Sequence, residues 1–230
     1  MKYTKLTLGI ARGSARNASS SEDKKKRDAL KTKIFERDDY VCKCCGFRSE
    51  KYQELIHRNG DYSDDSDKNL MTTCMFCAQV FEMDRAADMK SGVLIWLPEI
   101  EQHILHHIVR AIYVGRISQG PMAEAARRAQ DILLSRREEA QRRLGTDDPN
   151  IMAMVLKDYI TPRHYAQRAE KLNGIRLLPL DRRIIQESGL QFNQFPQILA
   201  YWRSKDGPFG GKIPAQWINF YQDALMRTQA

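Results

Sequence analysis

Two cysteine pairs constrain this chain more than any other feature: Cys42-Lys-Cys-Cys45 and Cys74-Met-Phe-Cys77, separated by residues 46–73. Thiolates two residues apart deliver two ligands from one tight turn, and two such turns complete the four-sulfur set that suits tetrahedral zinc. The intervening segment is long enough for a β-hairpin. The second pair opens a predicted helix, whose positive N-terminal end favours thiolates. The pattern predicts a treble-clef zinc finger holding one structural zinc ion on Cys42, Cys45, Cys74 and Cys77. Four protein ligands leave no position for a catalytic water, so the metal is expected to do no chemistry. Cys44 falls outside the pair spacing and reads as a bystander thiol. The cysteine spacings of iron–sulfur sites are absent.

All five cysteines lie between residues 42 and 77. A secreted disulfide scaffold would spread them along the chain, so the clustering predicts a reducing, cytoplasmic compartment. No apolar run approaches the eighteen or so residues of a membrane span, and the first residues lack a hydrophobic region with a cleavage site. Neither a secretory signal nor direct membrane insertion is expected. At 230 residues the chain can bury one core, or one core plus a small module.

The patterning predicts an α+β fold. Residues 2–10 alternate like a short strand, and residues 12–26 are Ser- and Lys-rich and too poor in apolar groups to pack, which predicts a mobile linker. Leu30, Ile34 and Phe35 mark a helix over 27–38, and 53–58 and 69–73 read as hairpin strands around the turn signal Asn59-Gly60. Cys74 to Met83 reads as a helix and Gly92 to Leu97 as a strand. Pro98 to Gly115 and 121–144 read as long helices, the second supported by a Glu138–Arg142 pair. Shorter helices are expected at 149–158, 162–171, 180–187, 195–204 and 214–227. The expected organisation is an N-terminal strand and linker at 1–26, a zinc-binding region at 27–97 and a mostly helical region at 98–230 packed on it.

A treble clef with a hairpin between its cysteine pairs resembles the HNH endonuclease domain over Cys42 to Gln79. The resemblance places His57 at the general-base position and Asn69 at the middle asparagine. Ile56 and Ala78 occupy the two positions that should ligate the catalytic metal, and neither side chain can bind magnesium. Phosphodiester hydrolysis by this motif needs that metal, so no catalytic residue is expected. His57 then reads as a hairpin-packing histidine and Asn69 as a structural residue. His103 and His107 stand four apart on one helix, a metal-binding spacing, but no third ligand accompanies them. They read, with His106, as solvated or core-edge histidines.

A more specific resemblance is carried by Lys33-Ile-Phe-Glu-Arg-Asp38, Cys42 to Phe47, Tyr52-Gln53, Gly60-Asp-Tyr62, Asn69-Leu70, Cys74 to Gln79, Leu94 to Glu99 and Gly174 to Pro179. Over residues 30–185 the chain is similar to the DotN (IcmJ) family of Dot/Icm-type IVB secretion systems. The resemblance implies a non-enzymatic, zinc-containing subunit of a type IV coupling complex at the cytoplasmic face of the bacterial inner membrane. Its implied partners are the C-terminal extension of a DotL-like coupling ATPase, with DotM-like and IcmS/IcmW-like subunits, in recruiting effector proteins. Trp96, Trp202 and Trp217 are docking candidates, although each also suits a core.

The net charge is +8. Attraction to a polyanion is one reading, which keeps a nucleic-acid-binding protein or residual HNH nuclease tied to conjugation as the alternative. Much of the excess comes from Lys24 to Arg27 and from Arg136, Arg137, Arg142 and Arg143. Glu138, Glu139 and Asp131 partly cancel the latter, and no base-stacking aromatics stand among them. Only weak, nonspecific nucleic-acid binding is expected.

Overall fold

The structure is a computed structural model that describes residues 3–11, 21–187 and 189–217. It is α+β: among the described residues three two-stranded antiparallel ribbons are set among helices. The first ribbon pairs β1 (Gln53–His57) with β2 (Leu70–Cys74), in a register that places Gln53 opposite Cys74. Helix α1 (Ser21–Arg37) covers it, seating Ile34 against Leu55 and Leu70. Buried Asp38 follows α1 and accepts the Thr72 N–H at 2.9 Å, fixing helix to ribbon. Beyond β2 the chain turns directly into α2 (Met75–Phe81) and α3 (Met83–Asp88).

The N-terminal expectations need correction. Residues 21–26 are the first turns of α1 and not a linker. Acidic Glu22 precedes the basic run, which suits the helix dipole, and it pairs with Lys26 one turn on. A scarcity of apolar groups did not forbid the helix. Residues 12–20 lie outside the described residues. Residues 3–11 form no strand. Gly9 N–H donates to the Val80 carbonyl at 2.9 Å and the Gly9 carbonyl accepts Met83 N–H at 3.0 Å, so the corner between α2 and α3 takes the bonds a strand partner would have taken.

The second ribbon joins distant segments: β3 (Gly92–Trp96) pairs with β4 (Ile175–Pro179). Between them lie α4 (Gln102–Arg116), α5 (Pro121–Ser135), α6 (Arg137–Leu144), α7 (Pro149–Met154), α8 (Pro162–Ala166) and α9 (Arg168–Lys171). The expected helix at 98 begins only at Gln102. The expected helix over 121–144 breaks at Arg136, whose carbonyl accepts the Trp96 N–H at 3.1 Å. Arg142 and Arg143 pair with Glu139, not Glu138. Helix α7 passes into a π-helical turn, Val155–Tyr159.

Residues 184–193, expected in part as a helix, form the third ribbon of β5 (Ile184–Glu187) and β6 (Leu190–Asn193). Two adjacent β-branched isoleucines favour the strand, and Gly189 at φ +82° supplies the turn. Helix α10 (Phe195–Arg203) and a 3₁₀ turn at Pro214–Gln216 complete the described chain. Most of the helix expected at 214–227 lies outside it. One core runs through both halves, uniting Ile56 and Phe76 with Ile95, Leu105, Val109, Phe195 and Trp202.

The third ribbon is tied to the first by charge. Glu54 on β1 accepts from Arg85 of α3 at 3.1 Å and from Arg183 just before β5. Burial pushes the Glu54 carboxyl up, but the two guanidinium groups outweigh it and bring its pKa down to about 2. A carboxylate with a folded pKa below its unfolded value stabilises the protein above the unfolded value, and that contribution is lost as pH falls from about 4.5 to about 2. Glu54→Gln should therefore lower stability near neutral pH by about 3 kcal/mol. The wild-type advantage should vanish across that window. Urea unfolding of both proteins from pH 7 downward reads the difference, and parallel curves would contradict the assignment.

Candidate metal centre

The first cysteine pair sits on a turn built by its own backbone. The Cys42 N–H donates to the Phe47 carbonyl at 3.0 Å, and the Gly46 N–H donates back to the Cys42 carbonyl at 2.9 Å. Gly46 holds φ +74°, where a side chain is strained, and an added Cβ would also meet the Tyr3 hydroxyl at 2.6 Å. Lys43 N–H donates to the Thr72 carbonyl at 2.9 Å, clamping the turn onto β2. The second pair stands where β2 becomes α2. Cys74 is the N-cap of α2, and its sulfur accepts the Cys77 N–H at 3.5 Å.

These turns bring the sulfurs of Cys42, Cys45, Cys74 and Cys77 within 4.8 Å of one another, and all four residues are buried. Cys45 and Cys74 sulfurs are 3.7 Å apart. Zinc–sulfur bonds of about 2.3 Å at tetrahedral angles require roughly 3.8 Å between sulfurs, so the spacing fits. The four cysteines can hold a metal ion. No second group of three or more His, Cys, Asp or Glu side chains converges among the described residues.

Helix α4 supplies what surrounds the sulfurs. Arg110, 1% exposed, donates from Nη2 to the Cys74 sulfur at 2.6 Å and lies 3.7 Å from that of Cys45. Its guanidinium stands over the rings of Phe47 at 4.0 Å and Phe76 at 5.2 Å. Burial pulls the Arg110 pKa down, but the surrounding thiolates, Cys74 first, hold it above the ordinary value. Burial likewise pushes the Cys74 thiol up, and hydrogen bonds from Cys42 and Cys77, together with Arg110, bring it below the usual thiol range.

One turn earlier on α4, His106 Nδ1 lies 3.2 Å from the Cys77 sulfur. Its tautomer follows from the network. Gln102 accepts the Leu177 N–H through its oxygen at 2.9 Å, and its amide nitrogen donates to the Leu177 carbonyl at 2.8 Å. The second hydrogen of that nitrogen points to His106 Nε2 at 2.8 Å, which must accept it. The ring proton therefore sits on Nδ1 and is donated to Cys77. Burial, with Arg110 nearby, holds the His106 pKa well below its ordinary value, so the ring is neutral. His107 donates to the Cys45 carbonyl at 2.8 Å.

Gln102, His106 and Arg110 recur every fourth residue, a polar stripe on the core-facing side of α4, and sequence reasoning missed its role. The expected reading as solvated or core-edge groups is corrected for His106, which is fully buried and donates to Cys77; His107 is an exposed, core-edge residue, as expected, that also steadies the first cysteine turn.

The HNH-matching residues are committed elsewhere. His57 is buried, with Nε2 at 2.8 Å from Asp65 and its ring 4.5 Å from that of Tyr62. Asn69 accepts the Asn59 N–H and donates to the Asp64 carbonyl, which shapes the hairpin loop. Ile56 and Ala78 are core residues. Trp202 is buried edge-on against Phe76, Trp96 lies under Arg143, and Trp217 stacks on Phe209. Cys44 is buried beside the cluster, and its hydrogen bond with Cys42 pushes its thiol up. Cys44→Ser should keep the metal-to-protein ratio of wild type and change stability by only about 1 kcal/mol. A metal-free Cys44→Ser protein would show that this sulfur belongs to the ligand set.

No protein-family model matches the chain. Among curated proteins it is similar to the type 4 apparatus protein DotN of Legionella pneumophila subsp. pneumophila (strain Philadelphia 1). The two are 30% identical over 179 residues, an alignment that covers 76% of this chain and 83% of that protein.

Proposed function

The chain belongs to the DotN family, and from that premise we propose that it is a non-enzymatic, zinc-containing subunit of a bacterial type IVB secretion apparatus. In this reading one structural zinc ion is held by Cys42, Cys45, Cys74 and Cys77 in a treble-clef, HNH-like scaffold. The scaffold docks on the C-terminal extension of a DotL-like coupling ATPase, alongside DotM-like and IcmS/IcmW-like subunits, and aids effector recruitment at the cytoplasmic face of the inner membrane. The observation that carries the proposal is the DotN relationship across most of both chains. The site supports it. Arg110 and His106 occupy the approaches to two of the sulfurs, and the HNH metal-ligand positions hold Ile56 and Ala78. No helix among the described residues is long and apolar enough to cross a membrane, so attachment to the membrane face would come through partners.

Purification of the tagged full chain from the bacterium that encodes it, followed by mass spectrometry, should recover a coupling ATPase. The purified protein should leave plasmid DNA intact with magnesium or manganese. A preparation that recovers no secretion subunit, and cleaves DNA in a manner abolished by His57→Ala, would replace the adaptor reading with a nuclease.

A further inference from the structure

Helix α10 packs Phe195, Ile198 and Trp202 into the core. Pro196, Leu199, Ala200 and Arg203 stand at the i, i+3, i+4, i+7 positions of a second stripe, with Pro196 and Ala200 exposed and Leu199 half-buried at the edge of the core. Two adjoining cavities run along this side, of about 350 and 480 Å³, and they share Ile117, Pro196 and Leu199. Together they form one trough between α10 and the end of α4. Its floor is apolar, and Ile117 is 43% exposed there. Its rim is cationic: among the described residues Arg116, Arg127 and Arg203 line it, with Asp181 as the one carboxylate. Asp181 is already taken by Arg116 at 2.7 Å, and Arg203 donates to the Ile117 carbonyl. Among the described residues neither Arg127 nor Arg203 forms an ion pair.

We infer that this trough is the docking site of an acidic amphipathic helix from a partner protein. Eight residues of α10 extend about 12 Å, enough to lie along two turns of a second helix. Small Ala200 lets a backbone approach closely, while Leu199 and Ile117 receive apolar side chains at the spacing such a helix presents. The unmatched arginines select carboxylates on its flanks. A second copy of this chain would bring a like-charged rim against the first. Nucleic acid would meet the arginines but leave a floor of Ile, Pro, Leu and Ala without stacked bases. The inference deepens the adaptor reading by locating a surface, and it rests on that reading only for the identity of the partner.

The test uses the full chain and two designed helical peptides that share one apolar face, flanked by glutamates in one and by lysines in the other. At about 0.15 M salt the acidic peptide should bind about tenfold or more tighter than the basic one. Exposed Ala200→Glu, which leaves the core untouched, and Leu199→Asp should each reduce that binding about tenfold. Arg127→Glu with Arg203→Glu should reverse the preference between peptides. No binding, equal binding of both peptides, insensitivity to Ala200→Glu, or tighter binding of duplex DNA would each overturn the inference. The coupling ATPase extension is tested in parallel. If it binds wild type and Ala200→Glu equally, this surface is wrong for that partner while the adaptor reading stands. If it binds neither while the acidic peptide binds as expected, the adaptor reading fails and the trough stands.

Discussion

Cys74→Ser should yield protein that neither retains metal nor folds. Cys74 closes three pieces of structure at once: it is the last residue of β2, opposite Gln53, the N-cap of α2, and the sulfur to which Arg110 donates. A serine hydroxyl can keep the cap, but it cannot replace a thiolate in a four-sulfur zinc site. Structural zinc contributes about 10–16 kcal/mol of apparent binding free energy in small modules. That range is as large as the whole stability of an ordinary domain, about 5–15 kcal/mol. In wild type, a strong chelator should reproduce the same loss. The checks are elemental analysis of protein purified without added metal, which should find one zinc per chain, and thermal melts followed by circular dichroism with and without chelator. A cooperative, unshifted melt for either Cys74→Ser or the chelated wild type would refute a metal-dependent fold. Retained metal in Cys74→Ser would refute the ligand set.

The parts of this molecule legible in the sequence are those set by local geometry. Two thiols at a two-residue spacing imply a knuckle wherever the chain puts them, and Asn59-Gly60 implies the turn by which the chain leaves β1, the first step of the loop 58–69 that leads to β2. What surrounds the sulfurs is not local. Arg110 reaches Cys74 because α4 is held by Gln102 against the backbone of Leu177, on a strand that pairs with β3 some eighty positions earlier in the chain. Nothing in the spacing of Gln102, His106 and Arg110 states which surface that stripe will meet. The same holds for the break at Arg136, where the carbonyl is engaged by β3 and not by its own helix alone. Residues 184–187 were misread for a different reason. The charges of Asp181 to Arg183 suit a helix surface, whereas Ile184-Ile185 and the glycine at 189 decide for a ribbon.

Arg110→Met should then weaken metal binding about 10–100-fold, the usual scale for outer-shell partners, while preserving the fold of the loaded protein. A zinc ion on four thiolates would carry two negative charges, in a site with almost no exposure to water, and Arg110 is a cation placed against two of the sulfurs. Methionine keeps much of the apolar volume between Phe47 and Phe76 but removes the charge and the N–H donors. A 10–100-fold loss is about 1.4–2.8 kcal/mol, the cost of leaving the thiolate charge uncompensated in a buried site. Among the described residues the Nε and Nη1 groups of Arg110 have no hydrogen-bond partner. That deficit argues that the guanidinium is retained for the sulfurs and not for a wider polar network. Competition against a chromophoric chelator reads the affinity directly, and His106→Phe offers a milder comparison because it removes a neutral donor. If Arg110→Met binds metal as tightly as wild type while its melting temperature falls, Arg110 acts only as packing between two aromatic rings. If the affinity falls and Arg110→Lys restores part of it, the positive charge beside Cys74 is what the metal centre requires.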